Sequence, residues 1–317
     1  MRALVQYGYG GSEVLRLEER ETPEPGPDEV RVKVLACGVN GSDWEYISGH
    51  PFYARMAGGS PKGRVLGSDI CGEIEAIGPG VQGLSVGQIV VGETLGVFGG
   101  FADQAVAKAD LWVPVPDGMD PVTAAALPQP GGVALSGVGD FVQAGQSVLI
   151  NGAGGACGSL AVQIALNAGA NVTAIDSAEK LDPLRALGAH QVMDYRVEDF
   201  ATHTARYDLV LDLWGTRPMH VVRHVLKPEG RYLLVGGPMW RVVCIGIGGS
   251  IVSRFTKRKS TLLLAELGAK RVPEVLAMAQ DGRIRAIVAE VAKLADAKDA
   301  LARAGAGQIA GKLVICP

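Results

Sequence analysis

The stretch that decides the fold is Asn151-Gly-Ala-Gly-Gly-Ala-Cys-Gly158, which joins an apolar segment, SVLIN (147–151), to a helical pattern. It contains four glycines: Gly152, Gly154, Gly155 and Gly158. Glycines so placed permit a tight turn and let backbone N–H groups approach a diphosphate. The helix begins near Ala156 and Cys157, and its N-terminus adds partial positive charge at the same point. This pattern predicts the first turn of a dinucleotide-binding unit.

The next apolar segment, NVTAID (171–176), ends in Asp176, about 20 positions after the glycines. A carboxylate there is expected to accept hydrogen bonds from the ribose hydroxyls of NAD and to repel a 2′-phosphate. Lys180 is either a partner for that phosphate or a solvated lysine on a helix surface. On balance the residues favour NADH over NADPH.

The flanking sequence predicts an α/β protein with two domains. After the glycine turn, apolar strands alternate with helical stretches, as in QVMDY (191–195), YDLVLDL (207–213) and RYLLVGG (231–237). This alternation is typical of a doubly wound parallel sheet. The first ~120 residues are β-rich instead, and EVRVKVL (29–35) alternates apolar and polar residues. We therefore expect a barrel-like or sandwich-like antiparallel domain before the parallel sheet.

Composition narrows the classes of partner. The 317 residues carry a net charge of −3, so no general attraction to nucleic acid or an anionic membrane is expected. Five scattered cysteines without a CxxC pair indicate a reducing, cytoplasmic compartment. The apolar run Val242 to Val252 is about half the length of a spanning helix, so stable membrane insertion is not expected. Basic residues follow that run, and they mark either an interfacial patch or a solvated turn.

Four segments carry a resemblance that extends over nearly the whole chain: ETPEPGPDEVRVKVLACGVNGSD (21–43), GFADQAVAKADLWVPVP (100–116), INGAGGACGSLAVQIA (150–165) and GKLVI (311–315). They resemble the zinc-free, quinone-reductase-like members of the medium-chain dehydrogenase/reductase superfamily. The resemblance implies a GroES-like catalytic domain at 1–120, completed by 263–317, and a Rossmann domain at 121–262, with NAD(P)H in the cleft between them. It also implies a homodimer formed through an edge strand of the Rossmann sheet. The candidate strand is Thr261–Ala265, which an internal position in the sheet would explain equally well.

The resemblance further implies that no zinc is bound. Zinc-dependent relatives have a cysteine where this chain has Asn40, and a His-Glu pair where it has Ser68-Asp69. Zinc sites are built from thiolate, imidazole and carboxylate ligands, so asparagine and serine are poor replacements.

Three residues of the N-terminal domain are candidates for catalysis by the same resemblance. Asn40 aligns with a polar residue near the nicotinamide and could donate to a carbonyl oxygen, or it caps local backbone. Tyr46 could act as a proton donor. The tyrosine of close relatives falls at Glu45 here, however, and Tyr46 would serve equally well as a packed aromatic. Asp43 is either a polar group of the cleft or a carboxylate that organises a turn.

Other positions are implied to hold the dinucleotide. Lys180 and Tyr195 match a lysine and a tyrosine that hold the 2′-phosphate in NADPH-using relatives, whereas Asp176 replaces the small residue that makes room for it. Gly236 and Gly237 match the loop beneath the nicotinamide, where absent side chains let the ring approach.

The expected activity is NAD(P)H-dependent, metal-independent hydride transfer to a hydrophobic conjugated carbonyl compound: a quinone, an enone or an enoyl thioester. An alcohol dehydrogenase or ketone reductase ranks lower, because nothing obvious lowers the pKa of an alcohol. The alternative from another class is a nucleotide-binding adaptor or structural protein without turnover. The resemblance is thinnest over 238–260, whose Met239 and Trp240 indicate either a hydrophobic acceptor pocket or core packing.

Overall fold

The computed structural model describes residues 1–202, 206–266 and 268–317, with the backbone alone at position 250. The chain forms two compact units. The first contains Met1–Gly132, Leu267–Gly282 and Ala286–Pro317, and the second contains Val133–Glu266 and Arg283–Arg285. The limits expected from the sequence, 1–120 with 263–317 around 121–262, assign 121–132, 263–266 and 283–285 differently. Those limits remain a prediction.

The regular elements alternate in type along the second unit and are mostly strands in the first. The strands are β1 (Arg2–Gln6), β2 (Leu15–Glu19), β3 (Glu29–Gly38), β4 (Arg64–Val65), β5 (Asp69–Ile77), β6 (Ile89–Glu93), β7 (Gln104–Lys108), β8 (Trp112–Pro114), β9 (Ser147–Asn151), β10 (Asn171–Asp176), β11 (Gln191–Asp194), β12 (Tyr207–Asp212), β13 (Leu226–Leu234), β14 (Lys259–Leu262), β15 (Val288–Lys293) and β16 (Lys312–Cys316). The helices are α1 (Gly41–Ser48), α2 (Tyr53–Gly58), α3 (Pro121–Ala125), α4 (Pro128–Ala134), α5 (Ala156–Asn167), α6 (Leu181–Ala186), α7 (Met219–Val225), α8 (Met239–Val243), α9 (Ser250–Phe255), α10 (Val272–Gln280) and α11 (Ala297–Gly305).

The first unit is built around β3. A seven-stranded sheet has the order β15-β16-β3-β5-β6-β8, with β7 also paired to β3, and a small sheet has the order β2-β1-β4. All pairs are antiparallel except β15 with β16. The alternation predicted for β3 is confirmed, since Val30, Val32 and Val34 are all buried in the core of this unit.

The second unit is a six-stranded parallel sheet with the order β11-β10-β9-β12-β13-β14. The chain starts at β9, proceeds outward to β11, and returns to β12 on the other side of β9. The strand order therefore reverses between β9 and β12, which is the topological switch point where Rossmann-type sheets bind their ligands. The predicted doubly wound sheet is thus confirmed.

Two features of residues 226–262 differ from the expected pattern. Strand β14 spans Lys259–Leu262, not 261–265, and it lies at the edge of the sheet. A helical segment from Met239 to Phe255, with a π-helical part at Cys244–Gly249, precedes it. Within the described ranges, no helix combines the length and the apolarity that crossing a bilayer requires.

Candidate active site

The glycine turn folds back against the neighbouring strand. Both Gly152 N and Ala153 N donate to Ile175 O of β10, each at 2.9 Å. Gly152 has a φ of 89°, a backbone conformation that glycine adopts without strain. A Cβ on Gly158 would lie 2.2 Å from Gly152 O, so the start of α5 packs directly on the turn. Two of the predicted glycines are therefore required by geometry.

The start of α5 has the properties of an anion site. The helix spans 12 residues from Ala156. Its N-cap is Gly155, which has no side chain to cap the first amide groups. An added Cβ on Gly155 would find its nearest neighbour at 3.8 Å, so there is room above the turn. Amide groups at the start of a helix, here Ala156, Cys157 and Gly158, favour a negatively charged ligand. The turn therefore fits the diphosphate of a dinucleotide.

Asp176 has a structural role that the sequence did not reveal. Its Oδ2 accepts a hydrogen bond from Gly154 N at 2.7 Å, and its Oδ1 accepts one from Ser177 N at 2.8 Å. The Lys180 ammonium lies 3.8 Å from Oδ1. The Asp176 carboxylate thus fixes the glycine turn, in addition to its expected role of accepting hydrogen bonds from ribose. Each carboxylate oxygen can accept more than one hydrogen bond, so Asp176 retains acceptor capacity for the ribose hydroxyls. Its contact with ribose stays a prediction.

The other residues predicted for the adenosine end lie at the same edge of the sheet. The stem of Lys180 covers Gly154, where an added Cβ would lie 2.6 Å from Lys180 Cβ. Tyr195 follows β11, its amide donates to Asp176 O at 3.2 Å, and about half of its side chain is exposed. Parallel strands β10 and β11 end side by side, which brings Asp176 and Tyr195 together.

Gly236 and Gly237 follow β13, and Gly237 borders the backbone of Trp214. Gly237 has a φ of 133°, and a Cβ there would lie 2.6 Å from Trp214 O. The Trp214 ring also reaches the glycine turn, because a Cβ on Gly152 would lie 2.7 Å from its Cδ1. With 57% of its surface exposed, Trp214 offers a flat face beside the turn. It was not predicted from the sequence.

A buried carboxylate holds these loops in place. Asp212, at the end of β12, accepts hydrogen bonds from Asn151 Nδ2 at 2.8 Å and from Trp214 N at 3.1 Å through Oδ1. Its Oδ2 accepts one from the Tyr232 hydroxyl at 2.9 Å. The sequence signal for it was an acidic residue at the end of an apolar strand, the same signal that drew attention to Asp176.

In the first unit, Asn40 and Asp43 lie together at the start of α1. Asn40 N donates to Asp43 Oδ2 at 2.8 Å, and Gly67 N donates to Asp43 Oδ1 at 3.2 Å. Burial raises the pKa of Asp43 to about 7, against the lowering effect of these hydrogen bonds. Asp43 therefore organises the loop that presents Asn40.

Lys312 completes this cluster from the far end of the chain. Its ammonium donates to Asn40 Oδ1 at 2.6 Å and to Asp69 Oδ2 at 3.0 Å. The side chains of Lys312 and Asp69 are 1% and 0% exposed. Burial raises the pKa of Asp69, and the Lys312 charge opposes that rise. Because an ammonium only donates, it fixes the Asn40 amide with its oxygen toward Lys312, and the NH₂ group then lies 3.5 Å from Ser68 Oγ.

Tyr46 has a different environment from that cluster. Its ring packs edge-on against Phe98, with centroids 5.0 Å apart, and the Arg64 guanidinium lies 5.4 Å from the ring centroid. Burial, together with the charge of Glu45, raises the pKa of its phenol. The neighbouring Glu45 accepts a hydrogen bond from the Tyr53 hydroxyl at 2.9 Å. A role for Tyr46 as proton donor remains a prediction.

The residues that replace the zinc ligands of metal-dependent relatives do not fit a zinc ion. Asn40 and Asp69 both direct an oxygen at the Lys312 ammonium, whose charge would repel a dication at the same place. Asn40 Nδ2 lies 3.5 Å from Ser68 Oγ, which is a weak contact between two poor ligands. No group of three or more potential metal ligands occurs in the described part of the chain.

Known protein families match segments of both units. Residues 26–117 match the family model of the alcohol dehydrogenase GroES-like domain, and residues 187–315 match that of the zinc-binding dehydrogenases. The chloroplast envelope quinone oxidoreductase homolog of Arabidopsis thaliana is 30% identical over 343 residues, covering 100% of this chain and 98% of the relative. The chain belongs to the quinone oxidoreductases of the medium-chain dehydrogenase/reductase superfamily.

Two further proteins support this placement. The structure of the quinone oxidoreductase from Coxiella burnetii superposes with a TM-score of 0.87 at 26% identity, covering 100% of this chain and 99% of the other. The NADPH-dependent alkenal/one oxidoreductase, chloroplastic, of Arabidopsis thaliana is 33% identical over 249 residues, which is 75% of this chain and 63% of that protein. The family predicted from the sequence is confirmed, as is the combination of a GroES-like domain with a Rossmann domain. The chain is accordingly an NAD(P)H-dependent oxidoreductase.

Proposed function

We propose that this quinone oxidoreductase reduces a hydrophobic conjugated carbonyl compound, such as a quinone, an enone or an enoyl thioester, with NAD(P)H. The observation that carries the proposal is the glycine turn at the switch point, backed by the N-terminus of α5 and braced by Asp176. The names of the relatives, quinone and alkenal/one oxidoreductases, agree with this acceptor class.

The bound nicotinamide supplies the hydride, and the chain's own residues stabilise the charge that develops on the acceptor. Asn40 is suited to donate from its NH₂ group to the acceptor oxygen, since Lys312 holds the amide in that orientation. Asp43 acts on Asn40 through the backbone, as a positioning residue. Tyr46 is the proposed proton donor. Tyr46→Phe should lower kcat without changing dinucleotide binding.

Steady-state oxidation of NADH and NADPH against a panel of quinones, enones and alcohols tests the proposal. We expect turnover with at least one conjugated acceptor, and a loss of about 100-fold in kcat for Asn40→Ala with unchanged dinucleotide affinity. Tight dinucleotide binding without turnover of any acceptor would instead assign the chain to the non-catalytic, nucleotide-binding class. Oxidation of alcohols alone would also contradict the proposal.

We further propose a preference for NADH, supported by the negative charge of Asp176 beside the turn. Asp176→Asn is the informative variant, because it removes the charge while its amide oxygen can still accept from Gly154 N. Its NH₂ group cannot replace Oδ1 as the acceptor of the bond from Ser177 N. It should shift the ratio of the two dissociation constants toward NADPH by about tenfold, as one lost charge repulsion near 1.4 kcal/mol implies. Asp176→Ser should also weaken both dinucleotides, because the turn loses its brace. If the unmodified protein binds NADPH tenfold tighter than NADH, this interpretation of Asp176 is wrong.

We propose that catalysis is independent of zinc, on the support of the Lys312 ammonium between Asn40 and Asp69. Activity should persist after dialysis against a chelator, and metal analysis of the purified protein should find no stoichiometric zinc. Loss of turnover that added zinc restores would contradict this.

We propose a homodimer formed through β14, because this strand pairs with β13 on one side and is otherwise at the sheet edge. Light scattering should report twice the mass of the chain. Leu264→Lys, at a position 88% exposed just after the strand, should shift the protein toward monomer by adding charge to the edge. A monomeric unmodified protein would refute the proposal.

We propose a cytoplasmic, reducing location, on the support of buried Cys37 and Cys71, which form no disulfide. The two Arabidopsis relatives carry chloroplast names, so the location is a separate question from the family. Fractionation of the source cells, with a thiol-reactive probe applied in each fraction, tests it.

A further inference from the structure

The helical segment from Met239 to Phe255 packs on β14 through its second half, Cys244–Phe255. Residues four apart are buried along one side: Arg241, Ile245, Gly249 and Ser253. A Cβ on Gly249 would lie 2.3 Å from Ser260 O, so the helix backbone touches the strand. The buried side therefore holds little apolar volume.

The opposite side of this helical segment is apolar and exposed. Five large side chains spaced three or four residues apart form what we call the apolar stripe, and they are 48–83% exposed: Trp240, Val243, Ile247, Ile251 and Phe255. The residues of this stripe alternate with the buried ones along both the α-helical and the π-helical parts, so the stripe lies on the solvent side of the segment. A helix on the surface of a globular protein normally shows the reverse arrangement, with its apolar stripe inward.

The stripe adjoins an unbalanced positive charge. Residues 239–265 include five basic residues and no acidic residue. Arg241 is buried, and the other four form what we call the basic cluster: Arg254, Lys257, Arg258 and Lys259. Lys257 pairs with Glu229 at 3.2 Å, but both side chains are more than three-quarters exposed, so that pair is weak.

We propose that the apolar stripe and the basic cluster together bind an anionic lipid surface, with the helix lying in the plane of the interface. Helices that bind membranes in this way combine exposed aromatic and aliphatic residues with lysine and arginine. Charge complementarity favours lipid over a second copy seated face to face on the stripe, because that arrangement would oppose the two basic clusters without a counter-charge. The overall charge of −3 does not prevent this, since screening over ~8–10 Å leaves the local cluster dominant.

Vesicle flotation of the full chain tests the proposal without any measurement of turnover, so it stands apart from the proposed reductase activity. We expect binding to vesicles of mixed phosphatidylcholine and phosphatidylglycerol, weaker binding to phosphatidylcholine alone, and release by salt. Ile251→Ser/Phe255→Ser should weaken binding by tenfold or more. Removing two charges of the basic cluster with Arg254→Gln/Lys257→Gln should weaken it by about 25-fold, at about fivefold per charge.

Matched substitutions elsewhere on the surface provide the controls. Met56→Ser/Val197→Ser removes two apolar side chains of comparable exposure, and Lys62→Gln/Lys108→Gln removes two exposed charges. Both control variants should float like the unmodified protein. The proposal is overturned if the unmodified protein ignores anionic vesicles, or if the stripe variants bind lipid normally and change only the oligomeric mass, which would make the stripe a contact between copies.

Discussion

Replacing Lys312 by methionine should remove the positive charge from the Asn40 cluster while retaining most of the buried stem. In the native protein the ammonium lies 3.0 Å from an Asp69 carboxylate that is fully buried. After the substitution, the Asp69 side chain keeps the hydrogen bond from Gln129 N at 3.1 Å and loses its only close counter-charge among the described ion pairs.

The expected loss is about 3–5 kcal/mol of unfolding free energy at pH 8, the range for breaking one partner of a buried ion pair. Burial already raises the folded-state pKa of Asp69, and losing Lys312 raises it further. A carboxyl whose pKa is higher in the folded state contributes stability below its unfolded pKa, and that stability is lost as pH rises through the folded pKa. The difference between Lys312→Met and the native protein should therefore shrink from pH 8 to pH 5.

Chemical denaturation at both pH values measures this effect, and Lys312→Met/Asp69→Asn is the matched control. The double variant no longer has the unpaired Asp69 charge, so it should recover at least 2 kcal/mol relative to Lys312→Met at pH 8. Its kcat should still fall by about tenfold, because the Asn40 amide loses the donor that orients it. Equal destabilisation of Lys312→Met at both pH values, or a double variant no more stable than the single one, would refute this account of the cluster.

Three further predictions concern single features of the two units. Trp214→Phe should remove most of the energy transfer from tryptophan to bound NADH. Trp112→Phe, a core substitution in the other unit, should leave that transfer unchanged. If NADH quenches the tryptophan fluorescence of both variants equally, Trp214 lies away from the cofactor. Gly158→Ala should weaken dinucleotide binding by tenfold or more in titrations, because the added Cβ forces the turn off α5; unchanged affinity would contradict the close packing. Burial raises the pKa of Asp43 and of Glu93 to about 7, so the contribution of these two groups to stability should fall as pH rises from about 4 to 7. Glu93→Gln should remove its share of that fall and add about 2 kcal/mol at pH 8 in denaturation curves.

Features that depend on local pattern were predictable from the sequence. The glycine turn, the alternation in β3 and the parallel strands of the second unit each follow from a repeat or a motif within a few residues. Asp176 was found by its position at a strand end, although its hydrogen bond to Gly154 was not, because a side chain's direction at a turn depends on the folded backbone.

Features that depend on distant contacts or on inverted patterning were not predictable. Lys312 meets Asn40 across 272 positions in the chain, and a lysine that begins a strand normally indicates a solvated end. The helical segment at 239–255 packs through Gly249 and exposes its large apolar residues, so its pattern resembles a buried run. Periodicity shows which residues share a side of a helix, but not which side meets solvent.

The open edge at β14 determines how two copies of the apolar stripe would be arranged. When identical edge strands pair antiparallel, the rotation axis that relates them is perpendicular to the sheet, so each layer of one copy continues into the same layer of its mate. The segment ending at Phe255 would then occur twice on one flank of a continuous twelve-stranded sheet, two copies of the six strands seen here. Such a pair would bind a flat lipid surface through two apolar stripes, and the second stripe would add avidity without any new kind of contact.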